Sequence, residues 1–128
     1  MDSLFIEATK SSPEIDFDPE DNLLVIKGES YPENSFEFYQ PIFDWLEDYT
    51  AELEDEEVIV EMSLSYLNTS STKSIMFVLD ILEEAYLDGA DVKIHWYYDE
   101  DNELSYEIAE DFMDYLELPF ELLVKDNT

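Results

Sequence analysis

The chain has 128 residues, of which 45% are hydrophobic and 15% aromatic, enough for one buried core and one domain over residues 1–128 and too apolar for an intrinsically disordered segment. Its 35 Asp and Glu stand against 5 Lys and no Arg, a net charge of −30, so phosphate neutralisation is out of reach and DNA, RNA and anionic membrane surfaces are poor partners. The absence of cysteine excludes disulfides, thiolate catalysis and Cys-type zinc or iron–sulfur centres, and two glycines, Gly28 and Gly89, cannot make a phosphate-cradling loop.

The opening Met1-Asp2-Ser3-Leu4 lacks the basic stretch of a secretion signal. No apolar run approaches the roughly 18 residues of a membrane span, so a cytoplasmic protein is expected. Glu14–Asp18 and Leu23–Glu29 flank the turn formers Asp18-Pro19-Glu20-Asp21-Asn22 and predict a β-hairpin. Ser30-Tyr31-Pro32-Glu33 has the S-x-x-E pattern of a capping box with proline in the first turn. Phe36, Tyr39, Ile42, Phe43, Leu46 and Tyr49 follow at helical spacing, which predicts a helix from Pro32 to Leu53. Phe38 and Trp45 lie off that stripe, seven residues apart, and are candidates for a partner-facing strip as well as for ordinary packing.

Val58, Val60, Met62, Leu64 and Tyr66 alternate as a strand requires. Ile75, Val78, Leu79, Leu82 and Tyr86 then predict a second helix, opened by Thr69-Ser70-Ser71-Thr72 and ended by Gly89 at the left-handed cap position. Val92, Ile94, Trp96 and Tyr98 alternate again, and Leu104, Ile108, Phe112, Tyr115 and Leu116 give a third helix that Pro119 stops. Phe120–Val124 suits a last short strand at a sheet edge. The order ββαβαβα with that final short strand implies an α/β fold, a mixed β-sheet flanked by helices.

Catalysis finds no support: the single histidine, His95, rules out two-histidine chemistry, and paired carboxylates carry little meaning among 35 acids. Asp99-Glu100-Asp101-Asn102-Glu103 lacks the glycine and distal glutamate of a calcium loop and is expected to be a solvated turn. No cofactor or metal is expected. The hydroxyls at 69–72 stand at a strand-to-helix junction, where sites of α/β sheets tend to lie. The commonest use of such residues is to cap a helix. A phosphate there would add about −1.5 to −2 charge beside free N–H groups and the positive end of a helix dipole.

Ser30-Tyr31-Pro32-Glu33-Asn34-Ser35, Tyr66-Leu67-Asn68-Thr69-Ser70-Ser71 and His95-Trp96-Tyr97-Tyr98-Asp99 together resemble the signature stretches of the SiaC family of bacterial regulatory phosphoproteins. The resemblance implies a STAS-like fold and a non-enzymatic role in partner switching, with Thr69 at the family's phosphorylated threonine. It also implies three partners: a kinase of the GHKL/anti-sigma type, a PP2C-like phosphatase, and a diguanylate cyclase bound and activated by the unphosphorylated form. Asn68, Ser70, Ser71, Tyr31 and Asn34 are the candidate partner-binding residues around Thr69. STAS antagonists carry an Asp-Ser-x-Gly-type turn at the comparable junction, whereas this chain has Asn68 and Thr69 with no glycine, which argues against direct sigma-factor control. An anti-sigma-factor-antagonist-like regulator and an acidic small-ligand-binding domain stand as the alternatives.

Overall fold

A computed structural model describes residues 1–125. The elements run β1 (Leu4–Ile6), β2 (Glu14–Asp18), β3 (Leu23–Ser30), α1 (Ser35–Ala51), β4 (Glu57–Leu67), α2 (Thr69–Leu87), β5 (Asp91–Tyr98), α3 (Glu103–Met113) and β6 (Phe120–Val124). They build one six-stranded sheet whose spatial order is the chain order. The β1–β2 and β2–β3 pairs are antiparallel, and β3, β4, β5 and β6 run parallel to one another through the three helical crossovers. Because each crossover steps the same way across the sheet, crossovers of one hand put all three helices on one face.

Burial follows that geometry. Val58, Val60, Met62 and Leu64 of β4 and Val92, Ile94 and Trp96 of β5 are buried, while their alternate neighbours are half-buried or exposed. The helices close the layer with Tyr39, Ile42, Phe43, Leu46 and Tyr49 of α1, Ile75, Val78, Leu79 and Leu82 of α2, and Ala109 and Phe112 of α3. Lys27 and Lys93, paired with Glu14 and Glu57, lie on the open face of the sheet, as does His95 near Glu121. The helices by contrast carry Glu37, Asp44, Glu47, Asp48, Asp80, Glu83, Glu84, Glu103, Glu107, Glu110 and Asp111 against Lys73 alone.

The mixed α/β sheet with flanking helices is as the sequence implied, with three departures. A short strand, β1, precedes the hairpin; three residues give too little alternation to register as a strand in the sequence. The first helix starts at Ser35 rather than Pro32, and its cap is Asn34, whose side chain accepts from the Glu37 N–H at 3.1 Å. Ser30 is still in β3 with its hydroxyl turned into the core, so it cannot serve as a capping-box residue. The third helix ends at Met113, short of Leu116; the following loop is pinned by the Glu83 carboxylate, which accepts from the N–H groups of Glu117 and Leu118 at 2.6 and 2.9 Å.

The second helix ends as expected: Gly89 at φ +110° lets its own N–H reach the Tyr86 carbonyl and that of Ala90 reach the Ala85 carbonyl, both at 3.0 Å. The last strand forms at the sheet edge beside β5.

Candidate functional site

The carboxyl ends of β3 and β4 bring two loops together. Their register aligns Ser30 with Leu67, and the Asn68 N–H donates to the Ser30 carbonyl at 3.0 Å. The β3–α1 loop carrying Tyr31 and Asn34 therefore sits beside the start of α2. Tyr31 is half-buried with its ring edge-on to Tyr66, centroids 5.7 Å apart, and Asn34 is exposed on the same rim.

Asn68 caps α2. Its Oδ1 accepts from the Ser71 N–H at 2.8 Å and from the Ser70 hydroxyl at 3.3 Å, and its carbonyl accepts from both the N–H and the hydroxyl of Thr72 at 2.9 Å. These bonds leave the N–H groups of Thr69 and Ser70 outside the helical ladder. Thr69, the first helical residue, is exposed, and the hydrogen bonds of the turn run through its neighbours and not through its hydroxyl. Ser70 is exposed beside it. Ser71 is buried and turned inward, so it presents nothing to a partner.

Beneath Thr69 a buried chain of hydroxyls ties three elements together. Ser30 Oγ donates to Ser71 Oγ at 2.7 Å, which makes the Tyr39 hydroxyl, 2.8 Å from Ser30 Oγ, the donor to Ser30. Burial pushes the Tyr39 phenol up to about 12, against the smaller opposite pull of the Ser30 hydrogen bond, so the tyrosine is a neutral donor at all physiological pH. The end of β3, the middle of α1 and the first turn of α2 are thereby locked into one frame under the exposed threonine.

Two clefts flank α2 at this end. Between α1 and α2, Phe36, Phe43 and Phe77 line a cleft of about 320 Å³ with Ser70, Lys73 and Ser74 around it. The Phe43 ring lies 4.6 Å from Phe77 and 6.1 Å from Phe36, yet Phe36 is 66% and Phe77 47% exposed. Between α2 and α3, a second cleft of about 550 Å³ is lined by Leu67, Thr72, Met76, Ile108, Phe112 and Tyr115, with Asp111 and Asp114 at its mouth. At 100° per residue Ser70, Ser74 and Phe77 point to one cleft and Thr72 and Met76 to the other, which leaves Thr69 on the ridge between them.

Of the two readings of Phe38 and Trp45, ordinary packing holds: both are partly buried against the core and leave no open partner-facing strip. Trp45 packs against Phe17 and Tyr49 with centroids 5.0 and 4.8 Å away, and its indole N–H donates to the Asp2 carbonyl at 2.8 Å, so the N-terminal segment covers it. Phe38 lies edge-on to Tyr39 at 4.9 Å. The aromatics exposed between α1 and α2 are Phe36, which the sequence placed in the apolar stripe of the first helix, and Phe77. His95 stands 3.8 Å from Glu121 on the open sheet face, far from the ridge in the topology. Asp99 belongs to a turn in which its carboxylate accepts from the Asp101 N–H at 3.0 Å and Asn102 caps α3 by accepting from Ser105. Among the described residues no group of three or more His, Asp or Glu is placed to hold a metal ion, and no helix is long and apolar enough to cross a membrane.

The molecule is thus a mixed α/β domain whose sheet end presents an exposed hydroxyl at a capped helix start, framed by a strand-end loop and two clefts. Comparison with known proteins gives that class of domain a family. Residues 6–125 match the SiaC family regulatory phosphoprotein profile. An uncharacterised protein of Pseudomonas aeruginosa strain UCBPP-PA14 is 40% identical over 126 residues, 98% of this chain and 99% of that protein. The crystal structure of apo-SiaC from Pseudomonas aeruginosa superposes with a TM-score of 0.90 at 39% identity, covering 96% of this chain and 99% of that one. A chain in the crystal structure of the diguanylate cyclase SiaD in complex with its activator SiaC, from the same organism, gives a TM-score of 0.89 at 39% identity over 95% and 99%. The chain belongs to the SiaC family of regulatory phosphoproteins.

Proposed function

We propose that this chain is a non-enzymatic, cytoplasmic regulator of a bacterial partner-switching pathway, phosphorylated reversibly on Thr69, whose unphosphorylated form binds and activates a diguanylate cyclase. The observation that carries the reading is Thr69 itself: an exposed hydroxyl on the first residue of α2, outside the cap's hydrogen bonds, between two apolar clefts. Support for the cyclase comes from the complex of SiaD with its activator SiaC, the relative with which this chain shares fold and 39% identity. A kinase of the GHKL/anti-sigma type and a PP2C-like phosphatase would add and remove the phosphate.

A phosphate on Thr69 would lie beside the free N–H groups of the first turn and at the positive end of the α2 dipole, so the fold tolerates it. It would also place about two negative charges on the ridge between the clefts, and any partner that seats an apolar or acidic patch there would lose contact. Binding would then toggle with little change in fold. The test is phosphate transfer from the cognate kinase followed by pull-down with the cognate cyclase. Wild-type protein should take up one phosphate and then release the cyclase, Thr69→Ala should take up none and retain it, and Thr69→Asp should fail to hold it. Stoichiometric phosphate uptake by Thr69→Ala would move the switch to another residue.

A further inference from the structure

The two edges of the sheet are built differently. β1 closes one edge with three residues, too few to template another strand. β6 closes the other with Phe120-Glu121-Leu122-Leu123-Val124, apolar at every position but Glu121 in a chain that is 31% charged. Its ladder with β5 fixes which backbone groups are left over. The Ile94 N–H donates to the Pro119 carbonyl at 2.9 Å and the Lys125 N–H to the Tyr98 carbonyl at 2.6 Å, so the odd-numbered residues of this stretch turn their N–H and C=O groups to β5. Phe120, Leu122 and Val124 turn theirs outward, and among the described residues no strand pairs with them. Leu122 lies level with buried Trp96 on the helix side of the sheet; by alternation Glu121, Leu123 and Lys125 lie on the open face.

We propose that the outer edge of β6 pairs with β6 of a second copy of this chain, antiparallel about a two-fold axis at Leu123, joining two six-stranded sheets into one. Glu121-Leu122-Leu123-Val124-Lys125 is its own complement when reversed, with an acid at one end, a base at the other and apolar residues between. In that register Leu122 stands opposite Val124 of the second copy. Both turn their backbone groups outward, so each such pair exchanges N–H and C=O in full. Glu121, exposed, stands opposite the equally exposed Lys125 of the second copy on the open face, at the closely spaced positions where cross-strand side chains meet. A two-fold axis at Leu122 would satisfy the backbone as well but would set Glu121 against Leu123, so charge chooses between the registers.

A pair of five-residue strands buries less than the roughly 1,200 Å² of a standard interface, so the dimer is a weak one. Two chains of −30 also repel, and the edges meet only where salt of about 0.1 M or more shortens the Debye length to about 10 Å. The two-fold axis reverses the strands, so the starts of α2 in the two copies lie at opposite ends of the joined sheet. Each copy therefore keeps its Thr69 surface open, and the pairing is independent of phosphorylation.

The test is sedimentation equilibrium of the unmodified full chain, at protein concentrations up to about 1 mM and potassium chloride from about 0.05 to 0.5 M. The association constant should rise about tenfold or more across that range of salt. At the high-salt end Lys125→Glu should weaken association about tenfold or more. Adding Glu121→Lys to it, which returns the net charge to −30 and the facing pair to opposite signs, should restore association. Val124→Pro removes an outward N–H and sets a ring on the edge without touching the β5 ladder, so the protein should melt as a folded domain and stay monomeric. In amide spectra at high salt, raising the concentration should shift Leu122 and Val124 and slow their hydrogen exchange, while the amides of Thr69 to Ser74 stay in place. Monomer at every salt and concentration, association undiminished by Val124→Pro, a double swap that fails to restore what Lys125→Glu removes, or shifts centred on the helices overturns the proposal.

Discussion

Removing the middle of the buried hydroxyl chain should cost more than removing either end. Ser30→Ala deletes both bonds at once: the Tyr39 hydroxyl loses its acceptor at 2.8 Å and Ser71 Oγ loses its donor at 2.7 Å, both inside the core. At roughly 1–3 kcal/mol for each buried group left unpaired, the loss is about 2–6 kcal/mol. Tyr39→Phe keeps the Ser30–Ser71 bond and the ring contacts with Phe38 and Phe43, and Ser71→Ala keeps the Tyr39–Ser30 bond, so each should cost only about 1 kcal/mol. Urea unfolding monitored by tryptophan fluorescence, with a common m-value, gives the three differences directly. The triple variant, with no hydroxyl left to be unpaired, should be more stable than the sum of the single losses by at least about 1 kcal/mol. Equal costs for the three single variants, or strict additivity in the triple, would refute the picture of one coupled chain.

Asn68→Ala removes the cap of α2 and should lower stability by about 1 kcal/mol in the same unfolding assay, whereas Ser70→Ala should stay within about 0.5 kcal/mol. In protein carrying phosphothreonine at 69, Lys73 one turn on should pair with the phosphate; Lys73→Gln should raise the second phosphate pKa by roughly 0.3–0.5 units in a phosphorus NMR titration, and Lys27→Gln on the open sheet face should not. The folded-state pKa of Tyr39 is raised to about 12 by burial, so its contribution to stability is whole below pH 10 and is lost as pH rises from about 10 through 12. Alkaline unfolding followed at 295 nm should accordingly ionise the exposed tyrosines first and the buried ones with the unfolding transition. With a net charge of −30, the melting temperature should climb as potassium chloride is raised from low salt to about 0.5 M, where the Debye length has fallen below 10 Å.

Much of this arrangement was legible in the sequence. Strict alternation in β4 and β5, the apolar period of α2 and Gly89 at its end dictate those elements locally, and the strand-to-helix junction marked the hydroxyls at 69–72, among which the family resemblance singled out Thr69. What failed was whatever depended on a partner elsewhere in the chain. Ser30 reads as a capping residue until β4 extends alongside it and Tyr39 reaches its hydroxyl. Trp45 reads as either packing or interface until Asp2 and Phe17 are seen to cover it, and Phe36 reads as core because its stripe gives no sign of the cleft beside it. The hydroxyls at 69–72 read as a helix cap, but it is the side-chain oxygen of Asn68 that accepts from the Ser71 N–H. A usable signal was present: asparagines stand at 34, 68 and 102, and each caps a helix.

That regular placement gives the three helices comparable first residues, Ser35, Thr69 and Glu103. Ser35 is buried and out of a kinase's reach, while Glu103 holds a permanent carboxylate at the start of α3. Thr69 alone is exposed and neutral. Under the proposed phosphorylation, the start of α2 is the one of the three whose charge is switched. A phosphorylated Thr69 would put at the head of α2 the sign of charge that the fold already accommodates at the head of α3, so the modified form asks the scaffold for nothing it does not do elsewhere.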